Sequence, residues 1–398
     1  MIVPLRMTGT SVSCRQMKGI LMIMEQKFKE INWKEVYERG ILRIGNLARI
    51  NKVMQRALAG EAVKIAFLGG SITAGAAATS EESCYASLVY SWWRERFPAS
   101  KVEYINAGVG ATTSKFGVAR VKEDVLKLKP DVVFVEFSVN DTNEALYQET
   151  FEGLIRTILL DRCEPAVFMF NNVFYDDGRN AQQAHNEIGA YYDLPIVSMK
   201  ESLFGEIYKG SLKNTDISAD NLHPNDFGHQ LVAGVITNLL DRIYEAGMAS
   251  AVPYAVPKKP LTANRYFGSA RKSCRTYDPE GIGFVKDETV KNGVWDVFRG
   301  GWSALDAGSR VCFEVEGWLI SAQYRKYAIH PAPIAKAVID GDEEHAVILN
   351  ANFDETWGDC LYLQDIFTAD KSGRHRIEII LTDAVPEKEF YLASIITA

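Results

Sequence analysis

The sequence has no closely spaced cysteines. Its six, Cys14, Cys84, Cys163, Cys274, Cys312 and Cys360, stand far apart. No CxxC pair and no Cys/His ligand spacing occurs, which argues against a zinc site and against a disulfide framework. No run approaches the ~18 uninterrupted apolar residues of a membrane-spanning helix. There is no Gly-Lys-Ser/Thr, and so no Walker phosphate loop. Positive charge is not in excess: the net charge is -7 over 398 residues. A polyanion-binding face is therefore not expected on the large segments, and neither nucleic acid nor membrane is an expected partner. A convincing export signal is missing too. The apolar stretch 19–24 is too short for a signal core, and no small-residue cleavage site follows it. Met24 is an alternative start, which would leave residues 1–23 outside the native protein or disordered. Unpaired cysteines and no export signal point to the cytoplasm. Nothing in the pattern speaks to oligomeric state.

What is present is an ordinary, well-packed composition, 47% apolar and 24% charged, which excludes a disordered chain. At ~150 residues per domain, the length corresponds to about 2.7 domains. Charge is unevenly spread. Residues 1–60 hold 11 Lys/Arg against 4 Asp/Glu, residues 61–250 hold 16 against 26, and residues 251–398 hold 17 against 21. The basic N-terminal segment reads as a partly helical extension packed on the acidic segment that follows. Within it, residues 33–59 have helical spacing and read as one helix or a broken pair, weakened at Gly40 and Gly45.

From residue 61 the pattern alternates. Val63–Leu68, Val102–Ile105, Asp131–Phe137, Ala166–Phe170 and Pro195–Ser198 are short, nearly all apolar strand candidates. Such runs suit parallel strands covered on both faces. Between them, Cys84–Phe97, Lys115–Leu128, Glu149–Asp161, Ala181–Tyr192 and Asp226–Ala246 have helical spacing. The alternation predicts a three-layer α/β/α sandwich with a five-stranded parallel sheet over 61–250. Residues 252–260 carry three prolines in nine positions, and 251–260 reads as a linker. Beyond it lie β-rich runs at Ser309–Val315, Leu319–Tyr324, Ala335–Ile339, His345–Leu349, Arg374–Leu381 and Phe390–Ile396. Turn signals at Asp340-Gly341-Asp342 and Lys371-Ser372-Gly373 separate them. Residues 261–398 thus read as an antiparallel β-sandwich of jelly-roll type.

Four places carry chemistry. Phe67-Leu68-Gly69-Gly70-Ser71-Ile72-Thr73 ends a buried strand in two glycines and a serine. Ser71 there is a helix N-cap or a nucleophile. Asp220-Asn221-Leu222-His223-Pro224 precedes the last helix. His223 suits a general base and Asp220 suits the orientation of its ring, with Pro224 keeping His223 out of helical geometry. Asn106–Thr113 and Ser138-Val139-Asn140-Asp141 each follow a strand and offer backbone N–H groups and an amide. Together these have the donors of an oxyanion hole, although each alone reads as a tight turn. Asn171, Asn172 and Tyr175 follow the fourth strand and are candidates for substrate contact or for turn formation. Glu136, His185, His229, Trp92 and Trp93 read as structural. Trp295, Trp302, Trp318, Trp357 and Tyr324 are either core or a sugar platform.

Taken as a set, Ser71, the Gly/Ala turn, Asn140 and Asp220 with His223 resemble the SGNH/GDSL hydrolase family over roughly residues 61–246. The resemblance implies a flavodoxin-like SGNH fold and a serine esterase with no metal and no cofactor. It implies Ser71, His223 and Asp220 as the catalytic triad. It places oxyanion donors at the N–H of Ser71, the N–H of Ala111, with Gly110 as the alternative, and the side chain of Asn140. The sequence departs from the family pattern at Gly70, where aspartate is usual, at Ala111, where glycine is usual, and at Ser138, where the family's Gly-x-Asn-Asp has glycine. The Gly-Gly-Ser-Ile-Thr variant is associated with bacterial carbohydrate-ester branches. The expected activity is hydrolysis of small acyl esters, acetyl above all, on carbohydrate. The alternatives are a carbohydrate-binding or scaffolding protein with a silent hydrolase domain, a thioesterase, and a short-chain lipase.

Overall fold

The computed structural model describes residues 28–248 and 252–398. The expectations for residues 1–23 and Met24 lie outside them. The first half is built on a six-stranded sheet: β1 (Ile41–Arg43), β2 (Val63–Gly69), β3 (Val102–Gly108), β4 (Val132–Glu136), β5 (Ala166–Asn171) and β6 (Ile196–Ser198). Their order is β1-β6-β5-β4-β2-β3. The expected five strands β2 to β6 are parallel. Ten α-helices accompany them among the described residues: α1 (Trp33–Arg39), α2 (Ala48–Leu58), α3 (Ser71–Ala74), α4 (Tyr85–Arg96), α5 (Ser114–Asp124), α6 (Ala145–Leu159), α7 (Gln182–Tyr191), α8 (Gly205–Lys209), α9 (Asn214–Ile217) and α10 (Asp226–Glu245).

The central strand β2 shows why the sheet needs cover on both sides. Ile65 and Phe67 join one core with α2, α4 and α10, while Ala66 and Leu68 join the other with α5, α6 and α7. Every residue from Ile65 to Leu68 is fully buried. Alternation of this kind makes three layers, with loops after each parallel strand gathered at one edge.

The N-terminal segment corrects the sequence reading in one respect. Residues 33–59 are two helices with a strand between them, and that strand, β1, pairs antiparallel with β6. Three residues are too few to leave a period in the sequence. The sheet is therefore mixed and six-stranded. Ile50, Val53, Met54 and Ala57 of α2 are part of the main core. The basic charges find acids on the following segment, as the asymmetry suggested. Arg39 bonds Glu206, Arg43 meets Asp193 at 2.6 Å, and Arg56 meets Asp131 at 2.6 Å. Arg49 caps the carbonyls of Leu159 at 3.0 Å and Pro165 at 3.1 Å.

The C-terminal half is all antiparallel. It comprises β7 (Ala270–Lys272), β8 (Glu280–Ile282), β9 (Val285–Lys286), β10 (Trp302–Ala304), β11 (Arg310–Lys326), β12 (Ile334–Ile339), β13 (Asp342–Asn350), β14 (Cys360–Asp383) and β15 (Phe390–Thr397). These form one continuous path, β13-β12-β14-β11-β15-β10-β9, with β7 on β15 and β8 on β11. Two expected strands, Ser309–Val315 and Leu319–Tyr324, are one strand. The expected turn at Lys371-Ser372-Gly373 lies inside β14. Gly317 faces Gly373 there, and the register shifts beside them. Two glycines opposite each other let both long strands bend without breaking, so the turn residues mark a corner instead of a loop.

The proline-rich junction is strapped to α6. Arg156 donates to the carbonyl of Pro257 at 2.9 Å, and Glu152 accepts from the N–H groups of Leu261 and Thr262. Beyond the junction, Leu361, Tyr391, Ala393 and Ile396 of the C-terminal sheet share an apolar cluster with Val109, Phe116 and Ala119. Lys115 adds an ion pair to Asp365 at 2.6 Å.

Removing residues 1–60 would strip α2 from the core and bare the edge of β6. The truncated chain is expected to be insoluble or to melt at least ~10 °C below the full chain, since several large core side chains are lost at about 2–5 kcal/mol each. Equal melting temperatures in calorimetry would refute this.

Candidate active site

Strand β2 ends at Gly69, and Ser71 opens α3. The N-cap of α3 is Gly70, so Ser71 is not a capping residue. Its hydroxyl is free to do something else. Ser71 Oγ lies 2.8 Å from His223 Nε2, and His223 Nδ1 lies 2.6 Å from Asp220 Oδ2. The other carboxylate oxygen, Asp220 Oδ1, accepts from the N–H of His223 at 2.8 Å, the N–H of Leu222 at 3.0 Å and Ser218 Oγ at 3.1 Å. Burial pushes the Asp220 carboxyl up, but the hydrogen bonds from the His223 ring and the two backbone N–H groups outweigh it and hold it at about 2. An ionised Asp220 accepts from Nδ1, which leaves Nε2 to accept from the Ser71 hydroxyl. The loop itself is pinned at Asn221, whose carbonyl accepts from the N–H of Tyr175 at 2.7 Å and whose φ is +64°.

Two further strand ends close around Ser71. After β3, Gly110 lies beside the serine: a Cβ added at Gly110 would stand 3.7 Å from that of Ser71. Ala111 follows with φ +56°, a left-handed conformation that costs an alanine about 1–2 kcal/mol. It is exposed, and among the described residues its N–H donates to no partner. After β4, Asn140 comes up against Gly70. A Cβ on Gly70 would meet Asn140 Oδ1 at 2.3 Å. Any side chain at position 70 would require the end of the Asn140 side chain to shift.

Several residues hold this edge together. Arg120, fully buried, donates to the carbonyl of Gly69 at 3.1 Å and pairs with Asp124 at 3.1 Å. The N–H of Val109 also reaches Gly69 O, at 3.0 Å. Asn106 Nδ2 donates to the carbonyl of Thr73 at 2.8 Å. Asp141 accepts from the N–H of Ser114 at 2.9 Å and lies 3.1 Å from His185 Nε2, tying the Asn140 turn to α5 and α7. Sequence reasoning missed these supports. The available signal was an arginine amid Val118, Ala119 and Val121, a charge placed in a stripe that has to be buried. His185 and His229 are structural, as expected. His229 is held at about 4 by burial, so its neutral ring bonds Ala76 O and the N–H of Tyr85.

Asn171, Asn172 and Tyr175 do not line an open cleft. All three are buried, at 1%, 0% and 0% exposure. Substrate contact is replaced by internal support: Asn171 bonds Asn186 at 3.0 Å, and the carbonyl of Asn172 accepts from Asn180 at 2.7 Å. The reason is that the chain leaving β5 packs under the Asp220–His223 loop, where the N–H of Tyr175 donates to the carbonyl of Asn221. Of the five aromatic platform candidates, Trp302 and Tyr324 are core, and Trp318 packs edge-to-face against Tyr266. Trp295 and Trp357 are exposed, at 56% and 60%. Their loops meet through Arg325, which bonds Asp359 and lies over Phe298. Phe298 in turn packs on the cluster holding Val109 and Phe116. Among the described residues no group of three or more metal-ligating side chains is found.

Residues 67–231 match the model of the GDSL-like lipase/acylhydrolase family. Over 203 residues the chain is 25% identical to an acetylxylan esterase of Geobacillus stearothermophilus, covering 44% of this chain and 92% of that one. It is similar over nearly its whole length to a two-domain esterase active on acetylated mannans, crystallised with mannopentaose. The identity is 46%, covering 91% of this chain and 97% of that one, with a TM-score of 0.84. A second crystal structure of such an esterase matches with a TM-score of 0.86 at the same identity.

Glu136, at the end of β4, generates a pH dependence of stability. Burial pushes its carboxyl up to about 7 from the usual 4.5, against the hydrogen bonds from Ser138 that pull it down. Between those values the folded chain holds a proton that the unfolded chain has lost. Stability therefore falls as pH rises from about 4.5 to 7 and is level above, a loss on the order of 3 kcal/mol. In Glu136→Gln the melting temperature should gain on the parent between pH 5 and pH 8. A difference independent of pH would refute the assignment.

Proposed function

The chain belongs to the GDSL-like lipase/acylhydrolase family and is a carboxylic ester hydrolase; on that premise we propose that it removes acetyl groups from carbohydrate by a Ser71–His223–Asp220 mechanism. The observation that carries the mechanism is the unbroken relay of 2.8 Å from Ser71 Oγ to His223 Nε2 and 2.6 Å from His223 Nδ1 to Asp220 Oδ2. Ser71 Oγ attacks the acetyl carbonyl as Nε2 takes its proton. The negative charge that develops on the carbonyl oxygen is received by the N–H of Ser71, the N–H of Ala111 and the Asn140 amide. His223 returns the proton to the sugar oxygen, which leaves as an alcohol. Water, deprotonated by the same ring, then releases acetate and restores Ser71. Asp220 stays ionised throughout and stabilises the imidazolium formed in both halves.

Support for the substrate comes from the relatives. One relative is an acetylxylan esterase and the other is active on acetylated mannans, and the one that matches both halves of this chain is the mannan-active one. Acetylated mannan is therefore the first substrate proposed, ahead of acetylated xylan. The exposed Trp295 and Trp357, on loops joined through Arg325 near the Ala111 turn, suit stacking against sugar rings.

Acetate release from acetylated mannan and from p-nitrophenyl acetate tests the reading. Ser71→Ala should abolish both, and Asp220→Asn should lower kcat by about 10³-fold or more. Asn140→Ala should lower it by about 10²–10³-fold. Trp295→Ala should raise KM on the polymer severalfold and leave p-nitrophenyl acetate unaffected. Full turnover in Ser71→Ala sinks the mechanism. Glycan binding with no ester turnover in the parent would favour a silent, carbohydrate-binding role.

A further inference from the structure

We propose that Glu136 is a positioning residue of the hydrolytic site: by accepting from the N–H and the hydroxyl of Ser138 it helps to fix the turn that aims the Asn140 amide beside Ser71. The inference rests on the reading of Asn140 as an oxyanion donor.

Glu136 is the last residue of β4 and is paired in register with Gly69 of β2, directly beneath the nucleophile turn. It is fully buried. One oxygen, Oε1, accepts from the N–H of Ser138 at 2.8 Å and from its hydroxyl at 2.8 Å. Ser138 is the second residue of the turn Phe137–Asn140, closed by the Asn140 N–H to Phe137 O at 3.1 Å. The turn is anchored further by the carbonyl of Ser138, which accepts from the N–H of Ala181 at 2.7 Å, by the Ser138 hydroxyl, which also lies 3.0 Å from the carbonyl of Asn172, and by Asp141, which accepts from the N–H of Ser114. Asn140 leaves this turn with its Oδ1 buried, unpaired and pressed toward Gly70. Among the described residues no side-chain hydrogen bond holds its amide in place, so its aim depends on the backbone that carries it. That backbone is held from below by Glu136.

The cost of the arrangement argues for its use. A buried carboxyl without a cationic partner is expensive, and an apolar side chain would serve the strand better. What an apolar side chain cannot do is accept from Ser138. A misplacement near 1 Å at a reacting centre costs about 10²-fold in rate, so the turn has little freedom to drift. Glu136 touches neither substrate nor reacting atoms in this scheme and acts only through Asn140.

The test is a double-mutant cycle on acetate release, with folding monitored by circular dichroism and melting. Glu136→Ala is expected to lower kcat by about 10- to 100-fold with KM within about twofold. Glu136→Gln keeps an amide oxygen for Ser138 and should restore kcat to within about threefold of the parent. In an Asn140→Ala background, Glu136→Ala should add less than about twofold, because the group it positions is already gone. Should Glu136→Ala fail to fold, Ser138→Ala carries the same cycle by removing one of the two bonds, with a severalfold loss of kcat that disappears in the Asn140→Ala background. Parental kcat in the folded single variants, or losses that multiply with Asn140→Ala, overturns the proposal. Parental kcat in Asn140→Ala itself overturns instead the oxyanion reading beneath it, and the two failures are thereby distinct.

Discussion

The Asp220 carboxylate is the interaction on which the rest of the site depends. It accepts from the His223 ring, from the N–H groups of Leu222 and His223, and from Ser218. Those donors hold it ionised, and an ionised Asp220 sets the tautomer of His223. With the proton on Nδ1, Nε2 can face Ser71 only as an acceptor. A short loop therefore fixes the orientation and the tautomer of the His223 ring in one place. The loop in turn is hung from Tyr175, a buried residue at the end of the sheet.

Around that relay the chain accepts local strain and buried polarity. Ala111 sits in a left-handed conformation, and Glu136 and Arg120 are fully buried. Each departs from what stability alone favours, and all three serve the carboxyl edge of the sheet: Ala111 in a turn, Glu136 at the end of β4, and Arg120 from α5 onto the carbonyl of Gly69. Such departures gather where a site must be held in one geometry. Gly70 belongs to the same account. Its missing side chain leaves the space in which the Asn140 side chain lies against the Ser71 turn.

The C-terminal half is also part of this account. Its apolar contact with Val109 and Phe116 brackets the Ala111 turn. Lys115, at the start of α5, is held to Asp365, which also accepts from Ser321 at 2.6 Å. A turn that would otherwise lie on the surface is packed from outside. The strap of Glu152 and Arg156 on the junction keeps the two halves in that contact, so the region with linker composition is not a free tether.

Much of this was legible in the residues alone. The parallel strands announce themselves as apolar runs, because a strand covered on both faces has no polar side to show. The set of Ser71, Asn140, Asp220 and His223 is legible because each stands at a strand end or before a helix, where loops of an α/β sheet must converge. What the sequence could not express was anything decided by contacts between distant segments. A three-residue strand such as β1 has no period, and its place comes from pairing with β6 more than 150 residues later. Lys371-Ser372-Gly373 looks like a turn until Gly317 is found opposite Gly373. Asn171, Asn172 and Tyr175 lie at the end of a strand like the others, and only the layers above them bury them. By itself the sequence determined which chemistry was available and at which edge of the sheet it gathered, since both follow from residue type and local period. Tertiary structure alone decided which polar side chains face substrate and which hold the site from beneath, because burial is a property of neighbours that periodicity does not record.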